Sequence, residues 1–130
     1  MTPHLYAIGL VVDDLRRSLA FYRRLGIEVA DPDEGQVHVE ASVPGGMRLL
    51  WDTPETIRSF HPDWRPPTDG PRVTLAFRLD DPADVDALYV GLADVGGDGA
   101  VPPWDAPWGQ RYAVVHDPDG NSVDLFAPNA

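Results

Sequence analysis

The sequence predicts an α+β domain made of two similar halves, each read as β-α-β-β-β. Three observations carry this reading. Apolar and polar residues alternate in several short stretches, two helices start at paired aspartates, and the same residues recur 67 positions apart. Alternation with period two marks a strand with one covered face, whereas apolar residues spaced by three and four mark a helix. The chain has 130 residues, which is one domain with enough length to bury a core.

Leu5 to Val12 is apolar and β-branched and reads as a buried strand. Asp13-Asp14 supplies an N-cap, and Leu15, Leu19, Tyr22 and Leu25 then recur at helical spacing up to Gly26, a helix-closing residue. Strands follow over 37–43 and 47–52, joined by the turn Pro44-Gly45-Gly46. In the first of them Val37, Val39, Ala41 and Val43 alternate with His38, Glu40 and Ser42, so one face is apolar and the other polar. Residues 54–71 hold five of the prolines up to Pro71 with Phe60 and Trp64 between them, and read as a linker or lid.

The pattern then returns. Val73, Leu75, Phe77 and Leu79 alternate, Asp80-Asp81 caps a helix running to about Val95, and Gly96-Gly97 ends it. A short strand near Ala100–Val101, a strand over 111–116, the turn Asp117-Pro118-Asp119-Gly120 and a strand over 123–126 complete the second half. Asp13, Asp14, Ala20 and Tyr22 match Asp80, Asp81, Ala87 and Tyr89 at the common shift. Residues 4–53 form module one and 72–127 module two.

Composition narrows the function. Asp and Glu number 21 against 10 Lys and Arg, a net charge of −11, which repels nucleic acid and anionic membranes. No cysteine is present, so disulfides, thiolate catalysis and Cys-ligated metals are excluded. No apolar run is long enough to span a bilayer, and Met1-Thr2-Pro3-His4 does not start a signal peptide, so a cytosolic location is expected.

Val12-Asp13-Asp14-Leu15, Phe21-Tyr22, Leu25-Gly26, Trp108-Gly109-Gln110-Arg111-Tyr112 and Asp117-Pro118-Asp119-Gly120-Asn121 together resemble the vicinal oxygen chelate superfamily of glyoxalases, bleomycin-resistance proteins and extradiol dioxygenases. The resemblance covers nearly the whole chain. It implies two U-shaped mixed sheets around a ligand pocket, with helices outside. It also implies metal-ligand positions at Ala7, at Arg48 or Leu49, at Thr74 and at Asp124. Alanine has no donor atom and arginine repels a cation, so neither a metal nor another cofactor is expected. His4, His38, His61 and His116 all miss those positions.

Met47 to Thr53, Phe60 to Trp64 and Pro103 to Tyr112 resemble strings of the drug-sequestering members of the superfamily, the mitomycin-binding ones among them. Such members stack a drug between aromatic side chains in a pocket shared by two subunits. The resemblance therefore implies a small aromatic ligand and a homodimer with its pocket at the subunit interface.

Candidate binding residues follow from residue type and strand parity. Trp108 is a stacking platform with Gly109 beside it, and Arg111 and Tyr112 follow on the next strand. Trp64 and Trp104 suit either stacking or plain loop packing, while Trp51 reads as core. If Ala7 and Thr74 face the ligand, Arg78, Asp124, His38, Glu40 and Asp52 share that side, as ligand contacts or as structural ions. Two functions stay open. One is a non-catalytic protein that sequesters a quinone-like antibiotic. The other is a metal-independent enzyme that uses His38 and Glu40 as acid and base on a small carbonyl compound.

Overall fold

A computed structural model describes residues 1–130. The fold is α+β with two mixed sheets, one of three strands and one of four. The chain divides into two compact units, Met1–Pro66 and Pro67–Ala130. No helix is long and apolar enough to cross a membrane.

The first unit runs β1 (Ala7–Val11), α1 (Leu15–Arg24), β2 (His38–Ser42), β3 (Arg48–Asp52) and α2 (Pro54–Arg58). Its sheet has the order β1-β3-β2, with β1 parallel and β2 antiparallel to β3. The Asp14 carboxylate caps α1 by accepting from the Arg17 amide. Leu10, Val39, Ala41, Leu49 and Trp51 share one buried face of the sheet, where Tyr22 of α1 meets Trp51 edge-on at 5.8 Å between centroids. Trp51 is fully buried and belongs to the core.

One expectation fails in this unit. The first half is not β-α-β-β-β, because residues 27–36 form no strand. Arginines of α1 take up that segment instead. Arg23 Nε donates to the Val29 carbonyl at 2.6 Å, Arg16 Nη2 donates to the Pro32 carbonyl at 2.9 Å, and Arg23 pairs with Asp31. The proline-rich segment read as a linker or lid holds the short helix α2, none of whose residues is buried. Thr53 accepts from the Thr56 amide as its N-cap, and Pro54 occupies the first turn, where no amide donor is needed.

The second unit runs β4 (Thr74–Arg78), α3 (Pro82–Leu92), a 3-10 turn (Ala93–Val95), β5 (Asp98–Ala106), β6 (Gln110–His116) and β7 (Ser122–Pro128). This is the expected β-α-β-β-β order. The sheet order is β4-β7-β6-β5, with β4 parallel to β7 and the other pairs antiparallel. α3 packs on β5, β6 and β7, where Ala113, Val115, Val123, Leu125 and Ala127 are buried. Gly96 at φ 88° turns the chain out of the helix.

β5 is longer than the short strand expected near Ala100–Val101. It continues through Pro102-Pro103 to Ala106, with register shifts between Gly99 and Val101 and between Val101 and Trp104. Proline lacks a ladder donor and so reads as a strand break, but an edge strand tolerates it by bulging.

Candidate functional site

In the second unit, the sheet face opposite α3 carries a series of four rings. Alternation places Tyr112 of β6 and Phe126 of β7 there, because Ala113, Leu125 and Ala127 fill the buried face. Tyr112 pairs in register with both Phe126 and Trp104. Trp108 sits in the three-residue turn that joins β5 to β6, which Gly109 closes at φ 89°. The centroids of Trp104 and Trp108 are 5.6 Å apart and those of Trp108 and Tyr112 5.4 Å apart, both edge-to-face, and Tyr112 stacks on Phe126 at 6.1 Å. Trp104 retains 41% and Trp108 57% of its surface in contact with solvent. Trp108 is held by its indole N–H, which donates to Gln110 at 2.9 Å.

The Tyr112 hydroxyl donates to Asp124. Burial and this bond push the phenol up to about 12. Arg78 lies exposed on β4 in register with Phe126, on the same face. Arg111 does not join these groups. One position before Tyr112, it points to the helix side, where its guanidinium makes a two-pronged bond with Asp86 of α3 at 2.9 and 3.0 Å and a further pair with Asp105. The sequence reading put Arg111 with the binding residues, but strand parity commits it to tying α3 to β6.

In the first unit, His38, Glu40, Ser42, Arg48 and Asp52 occupy the face opposite Trp51, as parity predicts. His38 Nδ1 is 2.5 Å from Asp52 and Nε2 is 3.0 Å from Glu40, while Arg48 bonds Glu40 and Ser42, each at 3.0 Å. The Glu40 bond, with Asp52 adding to it, raises the His38 pKa above its ordinary value. The same bond from His38, with one from Arg48, lowers that of Glu40. A carboxyl group against each ring nitrogen favours the protonated form of the ring. Trp64 is also in this unit, half-buried, with the Arg58 guanidinium over its ring at 5.3 Å.

The residues at the metal positions implied by the resemblance do not fit a divalent ion. Ala7 offers no donor, Arg48 spends its guanidinium on Glu40 and Ser42, and Leu49 is core. Thr74 is neutral, and Asp124 is engaged by Tyr112. No three His, Asp or Glu side chains come together in a metal-holding group.

Phe126 escaped the sequence reading, although a signal existed, since it lies two residues past Asp124 and shares its parity. The Asp117–Asn121 string is a hairpin clamp. The buried Asp117 carboxylate accepts from the Asp119 and Asn121 amides and from the Asn121 side chain.

The sequence profile of the Glyoxalase/Bleomycin resistance protein/Dioxygenase superfamily matches residues 4–125. No curated protein matches the sequence. Among solved structures, a glyoxalase/bleomycin resistance protein/dioxygenase family enzyme from Burkholderia phytofirmans is similar at a TM-score of 0.82 and 18% identity, covering 97% of this chain and 99% of that one. A glyoxalase-related enzyme from Fulvimarina pelagi gives 0.80 and 21%, covering 97% and 88%. A glyoxalase/bleomycin resistance protein/dioxygenase from Nocardioides gives 0.73 and 27%, covering 99% and 85%.

Proposed function

The chain belongs to the glyoxalase/bleomycin resistance protein/dioxygenase superfamily, and from that premise we propose that it is a non-catalytic protein that sequesters a planar aromatic or quinone-like antibiotic. The observation that carries this is the ring series Trp104, Trp108, Tyr112 and Phe126 on one sheet face, with both indoles partly bare. Two bare tryptophans in contact form an apolar patch of the kind that marks a binding surface. Rigid rings also take up a flat ligand at little entropic cost. The Tyr112–Asp124 bond fixes the central ring, so the platform is organised before the ligand arrives.

The resemblance points to mitomycin- and bleomycin-type resistance, and we propose that the protein acts in the cytosol as a homodimer whose partner covers the bare rings. Tryptophan fluorescence titrated with mitomycin C and a panel of planar quinones tests the binding. Saturable quenching is expected, and its absence across the panel overturns the reading. A monomer by light scattering at micromolar concentration overturns the dimer.

A second reading, a metal-independent enzyme acting on a small carbonyl compound, draws support from His38 alone. Its contacts with Asp52 and Glu40 favour the protonated ring, and in that form it would pass a proton to a carbonyl oxygen displacing Glu40. Glu40 is a poor base, because His38 and Arg48 both stabilise its charged form. Turnover of a 2-oxoaldehyde that is lost in His38→Gln would favour the enzyme.

A further inference from the structure

Arg78, Phe126, Tyr112 and Trp104 form a single row, each in register with the next, across β4, β7, β6 and β5. Neighbouring strands lie about 4.8 Å apart, so Arg78 stands beside Phe126 and about 10 Å from the strand of Tyr112. Its guanidinium makes no hydrogen bond or ion pair. The second unit carries eleven aspartates against three arginines, so carboxylates are plentiful. Arg111 takes two of them, on the helix side. The aspartate one step along the ring face, Asp124, is engaged by Tyr112. The ring platform therefore ends in a free guanidinium, a fork suited to a planar anion.

We propose that the ligand is an anionic aromatic, its flat body on the rings and a carboxylate or ionised phenol on Arg78. This rests on the stacking reading and narrows its quinone-like class to acidic members, which leaves out uncharged mitomycins and cationic bleomycins. The chain's net charge of −11 opposes a free anion, so the preference must come from this local contact.

Anthraquinone-2-carboxylate and its uncharged carboxamide share one ring system and serve as a matched pair of probes. Tryptophan quenching should show the carboxylate binding about tenfold tighter to the wild type, as expected for a charge-assisted bond at a solvent-accessible site. Arg78→Gln should abolish that preference, weakening the carboxylate far more than the carboxamide, and Arg78→Lys should keep part of it. In 1 M salt the wild-type preference should shrink. Equal affinities in the wild type, or a preference that survives in Arg78→Gln, overturn the anion site and leave stacking intact. If neither probe quenches, the stacking reading falls and the anion site falls with it.

Discussion

Tyr112 and Asp124 are diagonal neighbours on the β6–β7 ladder, and the phenol donates to the carboxylate from the centre of the ring series. Burial first, and then this bond, holds the phenol up at about 12. A raised phenol pKa stabilises the fold below the ordinary value near 10, and that contribution is lost as pH rises through the folded value. Ultraviolet titration of the wild type against Tyr112→Phe should show the Tyr112 phenol ionising at about 12. In Asp124→Ala it should move down without reaching the ordinary value, since burial remains. No movement would assign the shift to burial alone.

His38 gives the mirror case. Its folded pKa lies above 6.5, raised chiefly by Glu40 and then by Asp52. The stability it contributes is full below that value and is lost as pH rises through the folded pKa. Proton NMR of the ring should give a titration midpoint above 6.5 that falls in Glu40→Gln, and melts of the wild type should lose more stability across that interval than melts of His38→Gln. A midpoint unmoved by Glu40→Gln would mean that the 3.0 Å contact does not persist in solution.

Trp108 and Trp51 separate binding from folding. Removal of Trp108, a turn residue more than half exposed, should cost about 2 kcal/mol of binding, roughly thirtyfold in Kd, at nearly unchanged stability. Trp51→Ala opens a cavity under α1 and should cost about 3–5 kcal/mol of stability. Trp51→Phe should cost far less, because the buried indole N–H has no hydrogen-bond partner to lose. Titrations and thermal melts of the three variants decide it, and a Trp108→Ala protein that binds normally but melts early would make Trp108 structural.

Gly97 and Gly99 differ in what a methyl group would meet. At Gly97 it would lie 2.7 Å from the Leu92 carbonyl oxygen, the backbone acceptor that ends the helix. Gly97→Ala should therefore cost about 1–3 kcal/mol, as overpacking does. At Gly99 the obstacle is the Tyr89 hydroxyl, the far end of a side chain that can swing aside, so Gly99→Ala should cost less. Denaturant melts that ranked the two the other way would show Tyr89 to be the more rigidly held.

Parity was legible in the sequence. Val39 and Ala41 against His38 and Glu40, and Leu75 and Phe77 against Thr74 and Arg78, assign each side chain to a sheet face, and the structure agrees. The rule also places Arg111 opposite Tyr112, so its grouping with the binding residues came from proximity in sequence. Asp86, the partner that claims it, is 25 positions away, and no local pattern points to such a pair. The β-α-β-β-β order given to the first half came from likeness to the second half and not from any strand pattern in residues 27–36, where the carbonyls of Val29 and Pro32 bond Arg23 and Arg16 of α1. The bulged β5 was hidden because Pro102-Pro103 reads as a break unless the strand is known to lie at an edge.

That proline pair has a consequence for how copies of the chain behave in a crowded solution. Neither proline has an amide to offer, and the bulge that holds them, between Val101 and Trp104, breaks the regular spacing of donors along the rim of β5. A foreign strand approaching that rim would meet a gap in the donors and a ladder already thrown out of register. Flat, regular, apolar rims template the edge-to-edge growth that leads to aggregates. With Trp104 bare on this very strand, such a template would be hazardous. The kinked rim lets the rings stay open to a small molecule while denying β5 to another chain's backbone.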